Sequence, residues 1–337
     1  MPLPLFCLFF VVFAFSAEAR QELRGVGSST VYPFVAVAAE EFGHSSGFRA
    51  PIVESTGTGG GFKLFCSGIG WNYPDFSNAS RAIKSSEKEL CAKHGITKIL
   101  ELKIGYDGIV LAQSVEAKPV SFTIAQIFKA LVKQLPQDGK LAANPYKTWK
   151  DIDPSLPDSP IAVYGPPPTS GTRDAFVELV MEHGCKSVKE FATIFPDEKK
   201  RRAACTAMRE DGAFIEAGEN DNLIIQKLRG DANAFGIFGY GFLEQNTQAV
   251  RAATIDGIKP DAETINSGTY PISRPLFVYC KLEHLGLVPG MEAFIREMGS
   301  EKALSPEGYM AVKGLIPLHP DEMKTMLERV ETLTPLP

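Results

Sequence analysis

Three short stretches put hydroxyl and glycine residues where a helix should begin: Gly27-Ser28-Ser29-Thr30, Thr58-Gly59-Gly60-Gly61 and Thr169-Ser170-Gly171-Thr172. Each combines hydroxyl donors with the backbone N–H groups that the first turn of a helix leaves unbonded. A helix start carries roughly +0.5 charge and favours anions. Any one of these stretches alone reads as a plain N-cap. Three of them, two with a nearby arginine, point to a ligand whose oxygens need many donors at once. Arg81 follows Ser80 in "NASRAIK", and Arg173 follows Thr172 in "SGTRD". A guanidinium at either place could pair bidentately with phosphate-type oxygens. The chemistry on offer is binding of a tetrahedral oxyanion.

The residues for turnover are not there in any usual pattern. "GTGGGFKL" imitates a phosphate loop, but Leu64 follows Lys63 where Ser or Thr is required. No G-x-S-x-G or H-E-x-x-H occurs. His44, His94, His183, His284 and His319 are scattered and read as surface or capping residues. No C-x-x-C is present. The reading is a binding protein, not an enzyme, with no catalytic residue, no metal ligand and no cofactor.

The elements that would hold these turns alternate between strand and helix. "APIVEST" is a strand leading into the glycine-rich helix start, with Ser55, Thr56 or Thr58 as its cap. "ILELKIGYDGIVLAQ" alternates at Leu100, Leu102 and Ile104 and then turns solidly apolar, so it reads as a half-exposed strand running into a buried one. "SPIAVYG" precedes the "TSGTRDAF" helix, and Ser121 or Thr123 caps "IAQIFKALV". Such alternation predicts an α/β fold with mainly parallel sheets, whose ligand-binding turns sit at the strands' carboxyl ends. Residues 135–160, polar and proline-rich, read as a long surface connection.

At 337 residues the chain is long enough for two lobes. Its net charge of -5 argues against a general nucleic-acid binder. Residues 1–19 form an apolar leader ending in Ala17-Glu18-Ala19, the pattern of a signal peptide cleaved near Ala19. The mature chain is therefore expected to be exported. Export permits disulfides. Cys66–Cys91 and Cys185–Cys205 are the pairings local in sequence, with Cys280 left over; spacing alone leaves the connectivity open.

The stretches "GVGSSTVYP", "ESTGTGGGFKLF", "DFSNASRAIK", "IGYDGIVLA", "PTSGTRDAF", "FGIFGYGFLEQN", "YPISRPLFVYC" and "GYMAVKGLIPL" occur in order from about residue 24 to 318. Through them the chain resembles the periplasmic phosphate-binding proteins that feed ABC importers. The resemblance implies a two-lobed, type II Venus-flytrap fold, each lobe a mainly parallel sheet flanked by helices. Lobe 1 would be 20–108 and 250–337, and lobe 2 the inserted 109–249, with crossing strands near 104–112 and 240–255. It also implies an inorganic phosphate ligand, a permease partner in the inner membrane, a periplasmic location and a monomeric state. Carried over by position, the ligand set is Ser29, Thr30, Thr58, Gly59, Ser80 and Arg81 from lobe 1, and Ser170, Gly171, Thr172 and Arg173 from lobe 2.

Two departures stand out. Well-known members have an aspartate where this chain has Arg81, and an arginine upstream of Ser-Gly-Thr where this chain has "GPPPT". In those members that aspartate accepts a hydrogen bond from the protonated oxygen of hydrogen phosphate, so Asp75, Glu54 and Asp107 become the sequence-nearest substitutes. Sulfate, molybdate or a phosphonate stays open as the oxyanion, and an exported phosphatase is the reading from another class.

Overall fold

A computed structural model describes residues 20–218 and 220–337; the apolar leader and its cleavage site lie outside the described residues. The main sheet path runs Ile52–Ser55, Arg24–Gly27, Phe76–Ala79, Ser273–Lys281, Ile99–Ser114, Phe235–Gly239, Val163–Gly165 and Phe214–Glu216. Arg24–Gly27 lies parallel to both of its neighbours. Phe235–Gly239, Val163–Gly165 and Phe214–Glu216 form a second parallel set. Antiparallel strands join the two sets.

The join is one strand. Ile99–Ser114 has 16 residues. Through Gly108 it pairs with Ser273–Lys281, and from Ile109 it pairs with Phe235–Gly239. Its burial follows the sequence: Glu101, Lys103 and Asp107 are only partly covered, and the stretch from Gly108 to Ser114 is buried. Covered on both faces, such a strand gains about 1.5–3 kcal/mol for each large apolar side chain it buries. Val250–Ala252 pairs with the far end of this strand, and Thr254–Ile255 pairs with Ser121–Phe122.

The glycines of the cluster differ in what they do. Gly57, with φ of +72°, caps the helix Thr58–Phe65 in place of the expected hydroxyl residues. Gly61 lets that helix lie on the first strand: a Cβ there would be 2.5 Å from the Gly27 Cα. Gly59 has open space around it. Behind the helix, Phe62 and Phe65 are buried beside the Cys66–Cys91 disulfide. A second disulfide joins Cys185 to Cys205, and Cys280 is a buried free thiol.

Two expectations are corrected. Residues 135–160 are not merely a surface connection. They contain the hairpin Gln134–Gln137 with Lys140–Ala143 and the helix Trp149–Ile152, capped by Thr148. Trp149 is fully buried, its ring centroid 4.6 Å from that of Phe122 and 5.2 Å from that of Phe235. A proline-rich polar stretch thus carries a core anchor. His284 is likewise buried, not superficial. Its Nδ1 lies 2.6 Å from Asp75 Oδ1, and its Nε2 accepts from the Gly70 amide at 3.0 Å.

Candidate functional site

The carboxyl end of the first strand turns directly into the first helix. Ser28 N–H donates to the Asn78 carbonyl at 2.9 Å, and the Ser28 carbonyl accepts from Tyr32 at 3.0 Å. Pro33 sits in the first turn of helix Tyr32–Ser45, where its missing N–H costs nothing. This presents Ser29 and Thr30 at the helix start. Thr56 N–H donates to the Gly27 carbonyl at 2.8 Å, placing the Gly57–Gly59 turn alongside. Phe76–Ala79 delivers Ser80, whose hydroxyl lies 3.0 Å from that of Thr58 and whose amide donates to it at 3.2 Å.

These residues share a cavity of about 670 Å³, lined by Ser29, Thr30, Thr58, Gly59, Ser80 and Arg81 from the first half. Asp174, Glu178 and Glu182 close it from the second half. Ser170, Gly171 and Thr172 line a neighbouring cavity of about 270 Å³ with Asp107. Ser29 and Thr30 belong to both. The ten expected residues are thus brought around one pivot, except for Arg173. Its guanidinium lies over the Phe214 ring, 4.3 Å from the centroid, and donates to the Pro166 carbonyl at 3.2 Å. Burial lowers its pKa, opposed by Glu216 and Asp174.

The helix Gly171–Phe176 starts as the sequence suggests, with the Ser170 hydroxyl accepting from Thr172 N–H at 3.2 Å. It then widens into a π-helical turn, Val177–Glu182, that carries Glu178 and Glu182 to the cavity. Such turns recur at functional sites. Gly171 is needed for contact between the halves: a Cβ there would lie 2.5 Å from the Thr30 Cα. The Thr30 hydroxyl donates to the Gly171 carbonyl at 2.9 Å, and Ser29 bonds to Asp174.

Arg81 is held by Glu87, at 2.9 Å and 2.7 Å, and stands 5.6 Å from the Phe62 ring centroid. The Glu87 hydrogen bond raises the Arg81 pKa. Burial alone would raise Glu87, but Arg81 and the Lys84 amide hold its carboxyl below the ordinary value.

The principal cation that sequence reasoning missed is Arg274. It is buried at 6% exposure on strand Ser273–Lys281. Nη2 donates to the Thr30 hydroxyl at 2.6 Å, and Nη1 donates to Glu178 at 2.8 Å, so it touches both halves. Nε lies 3.7 Å from Asp107 Oδ2 on the paired strand, and neither atom has a hydrogen-bond partner. Burial raises the Asp107 pKa, and Arg274 opposes that. The signal in the sequence was an arginine opening an otherwise apolar strand, "SRPLFVYC". Of the substitutes considered for the missing carboxylate, Asp75 is spent on His284 and Arg20, and Glu54 pairs with Arg24 at an exposed edge. Asp107 alone reaches either cavity.

Two sheets threaded by one strand, with polar helix starts meeting between them, define a two-lobed solute-binding protein. Residues 14–302 match the PBP superfamily domain. A phosphate-binding protein PstS of Staphylococcus saprophyticus is 32% identical over 304 residues, covering 88% of this chain and 82% of that protein. Protein SphX of Synechococcus elongatus is 31% identical, covering 78% and 69%. A crystal structure of a possible phosphate binding protein from Planctomyces limnophilus is 27% identical, with a TM-score of 0.72 over 94% of this chain and 99% of that one. The chain belongs to the PBP superfamily and, within it, to the PstS-like solute-binding proteins.

Proposed function

We propose that this chain captures inorganic phosphate outside the cytoplasm and hands it to the permease of an ABC importer. The carrying observation is the meeting of Ser29, Thr30, Thr58, Ser80 and buried Arg274 at one cavity bounded by both halves. Dehydrating a small anion is costly, so its oxygens must each find donors, and this cavity concentrates hydroxyls, first-turn amides and guanidinium N–H groups. The names of the related proteins support phosphate as the ligand. Lobe 1 is then 20–108 together with the chain from the strand Ser273–Lys281 onward, and lobe 2 is the segment between them. Closure onto the anion draws on its stronger interaction with the closed form, through Thr30–Gly171, Ser29–Asp174 and Arg274–Glu178. The protein acts as a monomer without turnover, after removal of its leader near Ala19. No helix among the described residues is long and apolar enough to cross a membrane.

Arg81, standing where relatives were expected to carry an acid, favours one alternative, a fully deprotonated oxyanion such as sulfate. Isothermal calorimetry of the purified protein with phosphate, then with sulfate, tests both. Micromolar heats with phosphate are expected. Silence with phosphate and binding of sulfate would replace the reading.

A further inference from the structure

A further cavity, of about 540 Å³, lies in the second half and has no part in the function proposed above. It borders the cleft cavity along Glu178, Glu182, Glu198 and Arg202, which line both. Its volume is that of a small-molecule site. The base is apolar: Phe191 and the disulfide-bonded Cys185 and Cys205 are buried there, beside partly buried Val188. The rim is basic, with Lys186, Lys189 and Arg201 next to Arg202. Two of the three lining acids are already matched, Glu182 by Arg202 and Glu178 by Arg274. That leaves Glu198 against Lys186, Lys189 and Arg201. Arg201 turns Nη1 to the Phe195 carbonyl at 2.9 Å, not to an acid.

The helix Glu198–Thr206 adds an independent sign. It opens Glu-Lys-Lys-Arg-Arg. Cations at a helix start oppose the macrodipole and cost stability. Lys199 and Lys200 are exposed, so burial of their stems does not offset that cost. Four consecutive cations kept where the helix disfavours them point to an anionic partner. A bare inorganic anion does not fit the cavity beside them. A dehydrated oxyanion needs donors on every side, and Val188, Phe191 and the disulfide offer none. A molecule with one anionic head and an apolar body does fit. Lysine stems can lie along the body while their ammonium groups hold the head.

We infer that this cavity binds amphipathic anions, an acidic head on an acyl or comparable apolar body, at a site separate from the phosphate cleft. A free fatty acid and the acidic lipids of a membrane surface offer the same chemistry. The inference does not rest on the phosphate reading, because the residues that carry it, Lys186, Val188, Lys189 and Phe191, do not line the cleft cavity.

Calorimetry with dodecanoate below its micellar concentration, with acetate and with dodecyltrimethylammonium tests it, each protein first checked by a thermal melt. The wild-type chain should bind dodecanoate, and neither acetate, which lacks the body, nor the cation of the same chain length. Replacing both exposed lysines, Lys186→Gln with Lys189→Gln, should weaken dodecanoate by about tenfold and leave the phosphate titration unchanged. Val188→Asp, which puts a carboxylate at the base, should weaken it at least as much with phosphate again unchanged. Once dodecanoate binds, cosedimentation with vesicles assigns the source. Capture by phosphatidylglycerol but not phosphatidylcholine vesicles marks a lipid surface, and capture by neither marks a free amphiphile. Failure of the folded wild-type chain to bind dodecanoate, equal binding by the folded lysine variant, or equal binding of acetate or of the cation overturns the inference. Each of these leaves phosphate capture standing.

Discussion

Two of the buried charged groups among the described residues differ in where they lie and in what they touch. Around Asp75, all within the first half, the fully buried Asp75, Lys281 and His284 each have hydrogen-bond partners, while Arg20 beside them keeps Nε and Nη1 unbonded. Asp75 accepts from His284, Arg20 and the Arg24 amide, and Lys281 donates to the carbonyls of Gly68 and Pro74 at 2.6 Å and 3.0 Å. Around Arg274, which spans both halves, Nε and the facing Asp107 Oδ2 stand 3.7 Å apart as an ion pair with no hydrogen bond to either atom. Desolvated polar groups are costly when unmade. The first set lies within one half and reads as architecture; the second bridges the halves at the cavity and reads as part of the candidate site. The first should answer to stability and the second to binding.

The largest expected effect breaks the first group. Asp75→Ala strands Lys281 and His284 and should cost about 3–5 kcal/mol of stability, measured from urea midpoints. Phosphate affinity should be unchanged wherever the variant remains folded. Next comes Arg274→Ala, expected to weaken phosphate binding by about 100-fold in calorimetry with a smaller shift in the urea midpoint than Asp75→Ala. A reversal of the two readouts would erase the distinction.

A third test sharpens it by pH. Burial pushes the Lys281 pKa down to about 8 from its ordinary 10.5, despite Asp75 and Glu283. Between about pH 8 and 10 the unfolded chain keeps a proton that the folded chain has released, so stability should rise with pH across that window, by on the order of 1–3 kcal/mol. Lys281→Met should flatten the rise. The smallest effect is Arg81→Gln. Because Glu87 already takes both of its terminal nitrogens, phosphate affinity should fall less than about tenfold.

How much of this was readable beforehand depended on distance along the chain. The alternation at Leu100, Leu102 and Ile104 and the caps at Thr123 and Ser170 are local, and the structure reproduces them. So is the hydroxyl-rich turn at Ser29 and Thr30, because strand and helix start lie within a few residues. Arg274 and Asp174 were missed as cavity-lining residues because their meaning comes from partners 244 and 145 positions away. His284 was misread for the same reason: its fixed tautomer is set by Asp75 and Gly70. Trp149 was overlooked because prolines and polar neighbours hid one buried ring. Arg173 was read by adjacency to Thr172, and its stacking on the Phe214 ring across the fold could not be seen that way.

The strand Ile99–Ser114 belongs to both sheets without a break. Prising the mouth open cannot rely on a slack tether; it must twist a ladder whose rungs remain attached at either end. The compliant stretch is short, from Gly105, whose backbone passes close to Ile316, to Ile109, where the partner strand changes. Any twist between the halves must pass through these five residues and through the second connection, 256–272, to which Ile109 is tied by its bond to the Ile272 carbonyl.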